Sequence, residues 1–173
     1  LELIGKSLVR NWNNHKARHL KTVVLRKLGQ HDKALQFIDE SLEIDYFNMG
    51  CHYEKYVLFS LLKNENAGKV LAEIDSLMNC GIHPYLEYAY DYANAGLYRE
   101  AADLLLQSIG DKKDVYPMVY YSLGYFAGKM GNEDLMSEYY SAAASMSPDY
   151  CFPNKLEEIV ILEDVCQENP SDN

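Results

Sequence analysis

The chain has 173 residues, with 16 Lys/Arg against 26 Asp/Glu and a formal charge of -10, long enough to bury a core without disulfide or metal staples and to form one ordinary domain. No apolar run approaches 18 residues and no secretory leader pattern occurs, so no membrane partner is expected and a cytoplasmic location is. Residues 1–33 carry eight Lys/Arg against two acids, a net +6, and the remainder eight against 24, a net -16; the basic charges are spread over helices as a solvated face, so no nucleic-acid partner is expected either.

In chain order the first element is a helix over 2–11. Leu1 stands where an initiator Met would, and the opening residues read as the middle of a longer protein, so 1–14 is taken as the second helix of a truncated repeat. Helix pairs then follow at 15–28 with 31–44, 48–63 with 67–79, 84–95 with 98–109 and 117–130 with 133–146. A last helix spans 155–167. No segment alternates at period two for long enough to make a strand. The fold class expected is all-α, one domain of stacked antiparallel hairpins, with repeats at 15–47, 48–82, 83–116 and 117–150 and a capping helix and tail over 151–173.

The spacing of the punctuation carries this reading. "RKLGQHDKAL" sets Gly29 five residues before Ala34, "ANAGLYREAADLL" sets Gly96 five before Ala101, and "GKMGNEDLM" sets Gly131 five before Met136. The glycines are 67 and 35 residues apart, two periods and one period of about 34. Asn64 takes the turn position in the unit between. "KSL" at Lys6–Leu8 and "ESL" at Glu40–Leu42 are offset by 34, as are Asn14 and Asn48. Pro84 and Pro117 recur at the starts of helices, where a missing N–H costs nothing. A hairpin of this kind cannot bury its apolar face alone, so copies stack. In the fourth unit the small residues Gly124, Ala127 and Ala142–Ala144 let backbones approach, and Tyr120, Tyr139 and Tyr140 are expected to fill the space between neighbouring hairpins.

Constellations of chemical groups do not assemble. His15 and His19 share a helix face at i, i+4, but Lys16, Arg18 and Lys21 crowd them with like charge and no acidic or Cys partner adjoins, so no metal site is expected. His52 beside Cys51 cannot act as base to a nucleophile, since adjacent helical residues point about 100° apart. Glu157 with Glu158, and Glu163 with Asp164, are consecutive rather than facing; Asn154 and Glu157 form N-x-x-E, a capping box for the last helix. No catalytic residue and no cofactor is expected. The four cysteines, Cys51, Cys80, Cys151 and Cys166, show no C-x-x-C pair and read as free buried thiols.

The period, the turn Gly, the Ala five residues on and the closing Pro148 resemble the tetratricopeptide repeat. In the fourth unit Tyr120, Leu123, Gly124, Ala127, Gly131, Tyr140, Ala143 and Pro148 occupy that family's signature places, with Tyr for the usual Trp and Met136 for its Ala. The third unit matches with Tyr85, Tyr88, Ala89, Tyr92, Gly96 and Ala101; the first keeps Gly29 and Ala34, and the second departs almost everywhere. "NNHKARHLKTVVLRKLGQHDKAL" and "SPDYCFPNKLEEIVILEDV" resemble, more narrowly, the C-terminal helical region of a bacterial family of unknown function in which a mutarotase-like β-sandwich domain comes first.

The resemblance implies a non-catalytic scaffold for protein interaction or domain bracing, or else an accessory region of a carbohydrate-active or sugar-binding enzyme whose catalytic domain precedes it. In this family the first helices of the pairs line a groove, and the register places Tyr90, Asn94, Tyr121, Tyr125 and Lys129 there, with Lys16, His19, Arg26 and Lys27 in the first unit. An aromatic floor with a basic end suits an acidic segment. The places that clamp a chaperone's terminal carboxylate in other members hold His19, Val23, Lys55, His83 and Glu87, so that clamp is not expected. On the last helix, Leu156, Ile159, Val160, Leu162 and Cys166 form an arc expected to dock on the fourth hairpin. That leaves Ile161 and Val165 as a second interface. The partners expected are a protein or peptide segment, the chain's own N-terminal domain, or a second copy in a homodimer.

Overall fold

A computed structural model describes residues 1–78, 81–110, 115–148 and 151–168. Cys80 lies outside them, as does the end of the repeat expected over 117–150. The described residues form ten helices and no strand. Contacts divide the chain into two compact units, Leu1–Asn79 and Cys80–Asn173, where the sequence reads as one domain.

Unit 1 contains α1 (Glu2–Arg10), α2 (His15–Lys27), α3 (His31–Ile44), α4 (Met49–Leu61) and α5 (Ala67–Leu77). α2 pairs with α3 and α4 with α5, and α4 packs on both helices of the preceding pair. Asn14 and Asn48, which stand one period apart, accept from the backbone N–H of Ala17 and Cys51 at 3.0 and 3.2 Å. Each thereby caps the first helix of its pair and satisfies an amide that the helix cannot. Leu25, Ala34, Ile38, Cys51 and Leu58 form the core between the hairpins, with Leu35, Phe37 and Leu42 partly buried around them.

Unit 2 contains α6 (His83–Asn94), α7 (Tyr98–Ile109), α8 (Pro117–Lys129), α9 (Glu133–Ala144) and α10 (Leu156–Glu168). α6 pairs with α7 and α8 with α9, while α7 packs on α8. Pro84 and Pro117 lie in the first turns of α6 and α8. Tyr85, Leu86, Ala89, Tyr92, Leu104, Leu105, Met118, Leu123 and Phe126 are fully enclosed.

One turn recurs four times. Gly29, Lys63, Gly96 and Gly131 have φ of +69°, +53°, +74° and +76°, at intervals of 34, 33 and 35 residues. Each N–H bonds the carbonyl three residues back, and the next N–H bonds the carbonyl five before it. This is the left-handed helix ending that glycine adopts without strain. The left-handed place in the second unit is therefore Lys63, one residue before the expected Asn64, so a Cβ-bearing residue holds it at a cost of about 1 kcal/mol.

Close approach of helices occurs where the small residues predict it, but within a hairpin. A Cβ added to Gly124 would lie 2.3 Å from a ring carbon of Tyr140, and one on Gly128 would lie 2.7 Å from the Met136 sulfur. Tyr140 thus fills the α8–α9 crossing, and Tyr120 stands over Tyr139 with centroids 6.3 Å apart across the same crossing. The expectation that these rings fill the space between hairpins is corrected: the glycine removes the obstruction on the facing helix of the same pair. A second contact of this type was not legible. Gly50 of α4 receives the His19 ring, to which a Cβ would come within 2.5 Å.

Candidate functional site

The expected groove residues divide between the two units, and each unit uses them differently. In unit 1 Lys16 and Lys27 are exposed, but His19 is 2% exposed and packs on Gly50. Arg26 grips Glu54 of α4 through Nε–Oε2 at 2.7 Å and Nη2–Oε1 at 3.0 Å, with the carboxylate wholly enclosed. Nearby, Arg18 donates to the Ser41 hydroxyl at 2.9 Å and to the Trp12 carbonyl at 3.0 Å, and stands 4.6 Å from the Phe37 ring centroid. Of the four basic residues expected at a groove end, Arg26 and His19 are thus engaged between α2 and α4, because a guanidinium enclosed in the stack needs its acceptors there, while Lys16 and Lys27 stay exposed.

The other chemical candidates of unit 1 are likewise engaged. His15 pairs with Asp45 at 2.8 Å while His19 is buried, so the two do not converge on a common point. His52 Nε2 contacts the Tyr46 carbonyl at 2.8 Å. Burial pushes the Cys51 thiol up to about 12, against a lowering contribution from a Ser41 hydrogen bond, which makes it a poor nucleophile at neutral pH. Among the described residues no three His, Cys, Asp or Glu side chains are placed to hold a metal ion, and no helix is long and apolar enough to cross a membrane. Cys51 is buried as expected, whereas Cys151 is half-buried and Cys166 is exposed.

In unit 2 the expected floor is partly covered by the chain itself. α10 lies against α8 and reaches α6, where Glu157 accepts from the Asn94 amide at 2.9 Å and Lys155 pairs with Glu87. Asp164 takes the Tyr140 hydroxyl at 2.9 Å and the Lys129 ammonium at 3.3 Å. Burial works against the charge of Lys129, but the hydrogen bond and the field of Asp164 carry its pKa upward; burial and then Asp164 push the Tyr140 hydroxyl upward as well.

This orientation reverses the one expected for α10. Ile161 is 2% exposed and Glu158 5%, whereas Leu156, Ile159 and Val160 are 78%, 42% and 48% exposed. Ile161 is thus part of the docked face and not a second interface, and Val165 is half-buried. The physical reason lies opposite: Asn94, Lys129 and Tyr140 present donors that need acceptors, so the side of α10 bearing Glu157, Glu158 and Asp164 turns inward, while Leu156, Ile159 and Val160 stay largely exposed. The capping role shifts with it, since the Asn154 N–H donates to Glu158 at 2.8 Å and leaves Glu157 for Asn94.

Beside α10 the inner side of α6 and α8 retains a cavity of about 310 Å³. Tyr90, Tyr98, Tyr125 and Phe126 form its aromatic wall; Leu156, Val160 and Ile161 form the other, with Asn94 and Glu157 between them. Tyr90 is 3% exposed, with its hydroxyl 3.1 Å from that of Ser122; it is a wall rather than an open floor, and burial raises its pKa despite the Ser122 bond. Lys129 Nζ stands 4.6 Å from the centroid of the half-buried Tyr125. Tyr121 instead stacks toward Tyr140, centroids 6.2 Å apart. The structure thus gathers Tyr90, Asn94 and Tyr125 around one space, with Lys129 beside them. It adds Tyr98 and Glu157, which the register of first helices alone could not identify, since Tyr98 opens a second helix and Glu157 belongs to α10, and it adds Phe126, which follows Tyr125 on α8.

Residues 15–51 and 119–150 match the family model of the tetratricopeptide repeat, one segment in each unit. Among solved structures the chain is similar to TTC0263, a thermophilic tetratricopeptide repeat protein of Thermus thermophilus, at 20% identity over 96% of this chain and 88% of that one, with a TM-score of 0.46. MamA of Desulfovibrio magneticus RS-1 is 13% identical over 82% and 80%, TM-score 0.42. YrrB, described as a tetratricopeptide repeat protein with an unusual peptide-binding site, is 12% identical over 97% and 93%, TM-score 0.43. No curated protein matches the chain.

Proposed function

We propose that this chain is a non-catalytic scaffold of tetratricopeptide-type repeats that binds a protein segment on the inner side of unit 2, beside α10. The observation that carries the reading is the cavity between α6, α8 and α10, where aromatic rings, exposed aliphatics and a hydrogen-bonding pair converge on one opening. Large rings around a desolvated pocket are the composition of an interaction hot spot. Leu156 and Val160 are apolar surface that an occupant would cover. The test is capture of a partner by the chain, compared with capture by the Tyr98→Ala, Tyr125→Ala double variant. The partner should be lost while helicity is retained; undiminished capture would place the site elsewhere.

A bracing role for the other end is favoured by α1. None of its residues is buried, and Leu3, Val9 and the following Trp12 are 80%, 88% and 64% exposed. A longer chain that covers this face should protect the α1 amides from hydrogen exchange relative to the 173-residue chain; equal exchange in both would remove this role.

A further inference from the structure

The cavity beside α10 has a chemistry more specific than an apolar slot. Tyr98, Tyr125 and Phe126 stand with centroids 6.2 to 6.5 Å apart and planes inclined by 37° to 78°, so the wall offers π surface in several directions. Across from it run Leu156, Val160 and Ile161, and at the edge the Glu157 carboxylate accepts from the Asn94 amide. A long side chain with an apolar stem and a flat cationic head matches all three parts: methylenes against the aliphatics, a guanidinium face against the rings, and its N–H groups toward the carboxylate.

Charge points the same way. Residues 80–173 carry five Lys/Arg against 16 Asp/Glu, a field that attracts a basic segment and repels an acidic one. A cation already rests on this wall, since Lys129 Nζ lies over Tyr125 while Asp164 matches its charge. Unit 1 shows the same pairings made by arginine, Arg18 over Phe37 and Arg26 forked onto Glu54.

We propose that the cavity beside α10 is a subsite for an arginine side chain of a partner segment. The proposal rests on the reading that this side of unit 2 takes a protein segment, and a small probe separates the two. The full chain is titrated with N-acetylarginine amide and, in parallel, with N-acetylleucine amide, both without terminal charge, and the ring signals of Tyr98 and Tyr125 and the methyl signals of Val160 are followed by NMR. The arginine probe should saturate these signals with a dissociation constant about tenfold lower than the leucine probe.

Glu157→Gln, which preserves shape, should weaken the arginine probe about tenfold and leave the leucine probe unchanged. Tyr125→Leu should weaken the arginine probe more than the leucine probe, and supplies the same comparison if Glu157→Gln disturbs the dispersion of the spectrum. Binding of the leucine probe as tight as that of arginine, or insensitivity of the arginine probe to both variants, overturns the arginine assignment while the segment-binding reading stands. Failure of the arginine probe to shift these signals also overturns the assignment, and partner capture by the Tyr98→Ala, Tyr125→Ala variant then decides the segment-binding reading separately.

Discussion

Units 1 and 2 share one repeat grammar and put opposite chemistry on it. In both, a left-handed residue closes the first helix, and an alanine five residues after the turn glycine, Ala34 in one and Ala101 in the other, is wholly buried. The first helices then diverge. Unit 1 packs α2 on α4 with His19 against Gly50 and the enclosed Arg26–Glu54 pair. Unit 2 lines α6 and α8 with tyrosines and lays α10 over them. Turn and small-residue positions therefore fix where helices cross, while the remaining positions are free to become an ionic lock in one unit and an aromatic pocket in the other.

The largest effect that would break this contrast is removal of the lock. Glu54→Ala leaves the Arg26 guanidinium in a closed site without its carboxylate and should destabilise unit 1 by about 3–5 kcal/mol. Denaturant unfolding should show it, and a loss below about 1 kcal/mol would mean that the pair is solvated. Next comes Gly124→Leu in unit 2. Its first added carbon meets the Tyr140 ring, and its loss should be about 1–3 kcal/mol or more; an unchanged Tm would show that α8 and α9 do not cross there. The smallest effect has the opposite sign. Lys63→Gly relieves the left-handed strain that the other three turns avoid, and should raise stability by about 0.5–1 kcal/mol. A loss would indicate that the second turn differs from its three counterparts.

Much of the architecture was legible because the repeat is written in residues with backbone consequences. Gly29, Gly96 and Gly131 end helices at positive φ, Asn14 and Asn48 cap them, and Pro84 and Pro117 lie in first turns. All ten expected helices occur, with ends displaced by no more than two residues. Lys63 was missed because its side chain gives no sign of a left-handed backbone. The candidate site was less legible. Tyr90, Asn94 and Tyr125 follow from register, but burial of Tyr90, His19 and Arg26 depends on which partners face them across helices.

The orientation of α10 departs from the one its hydrophobic arc predicts for a related reason. Counting aliphatics per face favours Leu156, Ile159, Val160 and Leu162 inside, whereas the donors of Asn94, Lys129 and Tyr140 draw in Glu157 and Asp164. A hydrophobic arc decides docking only where the receiving surface is itself apolar.

That orientation is the hinge of the account, because it creates the cavity and places Glu157 in it. It can be measured by cross-linking on a background free of the native cysteines, with a short bismaleimide applied to Asn94→Cys paired with Glu157→Cys and, separately, to Asn94→Cys paired with Ile159→Cys. The carboxylate-inward arrangement predicts rapid intramolecular linkage of the first pair and little of the second. Preferential linkage of the second pair would show that the aliphatic arc docks inward, leaving neither the cavity nor its acidic rim in place.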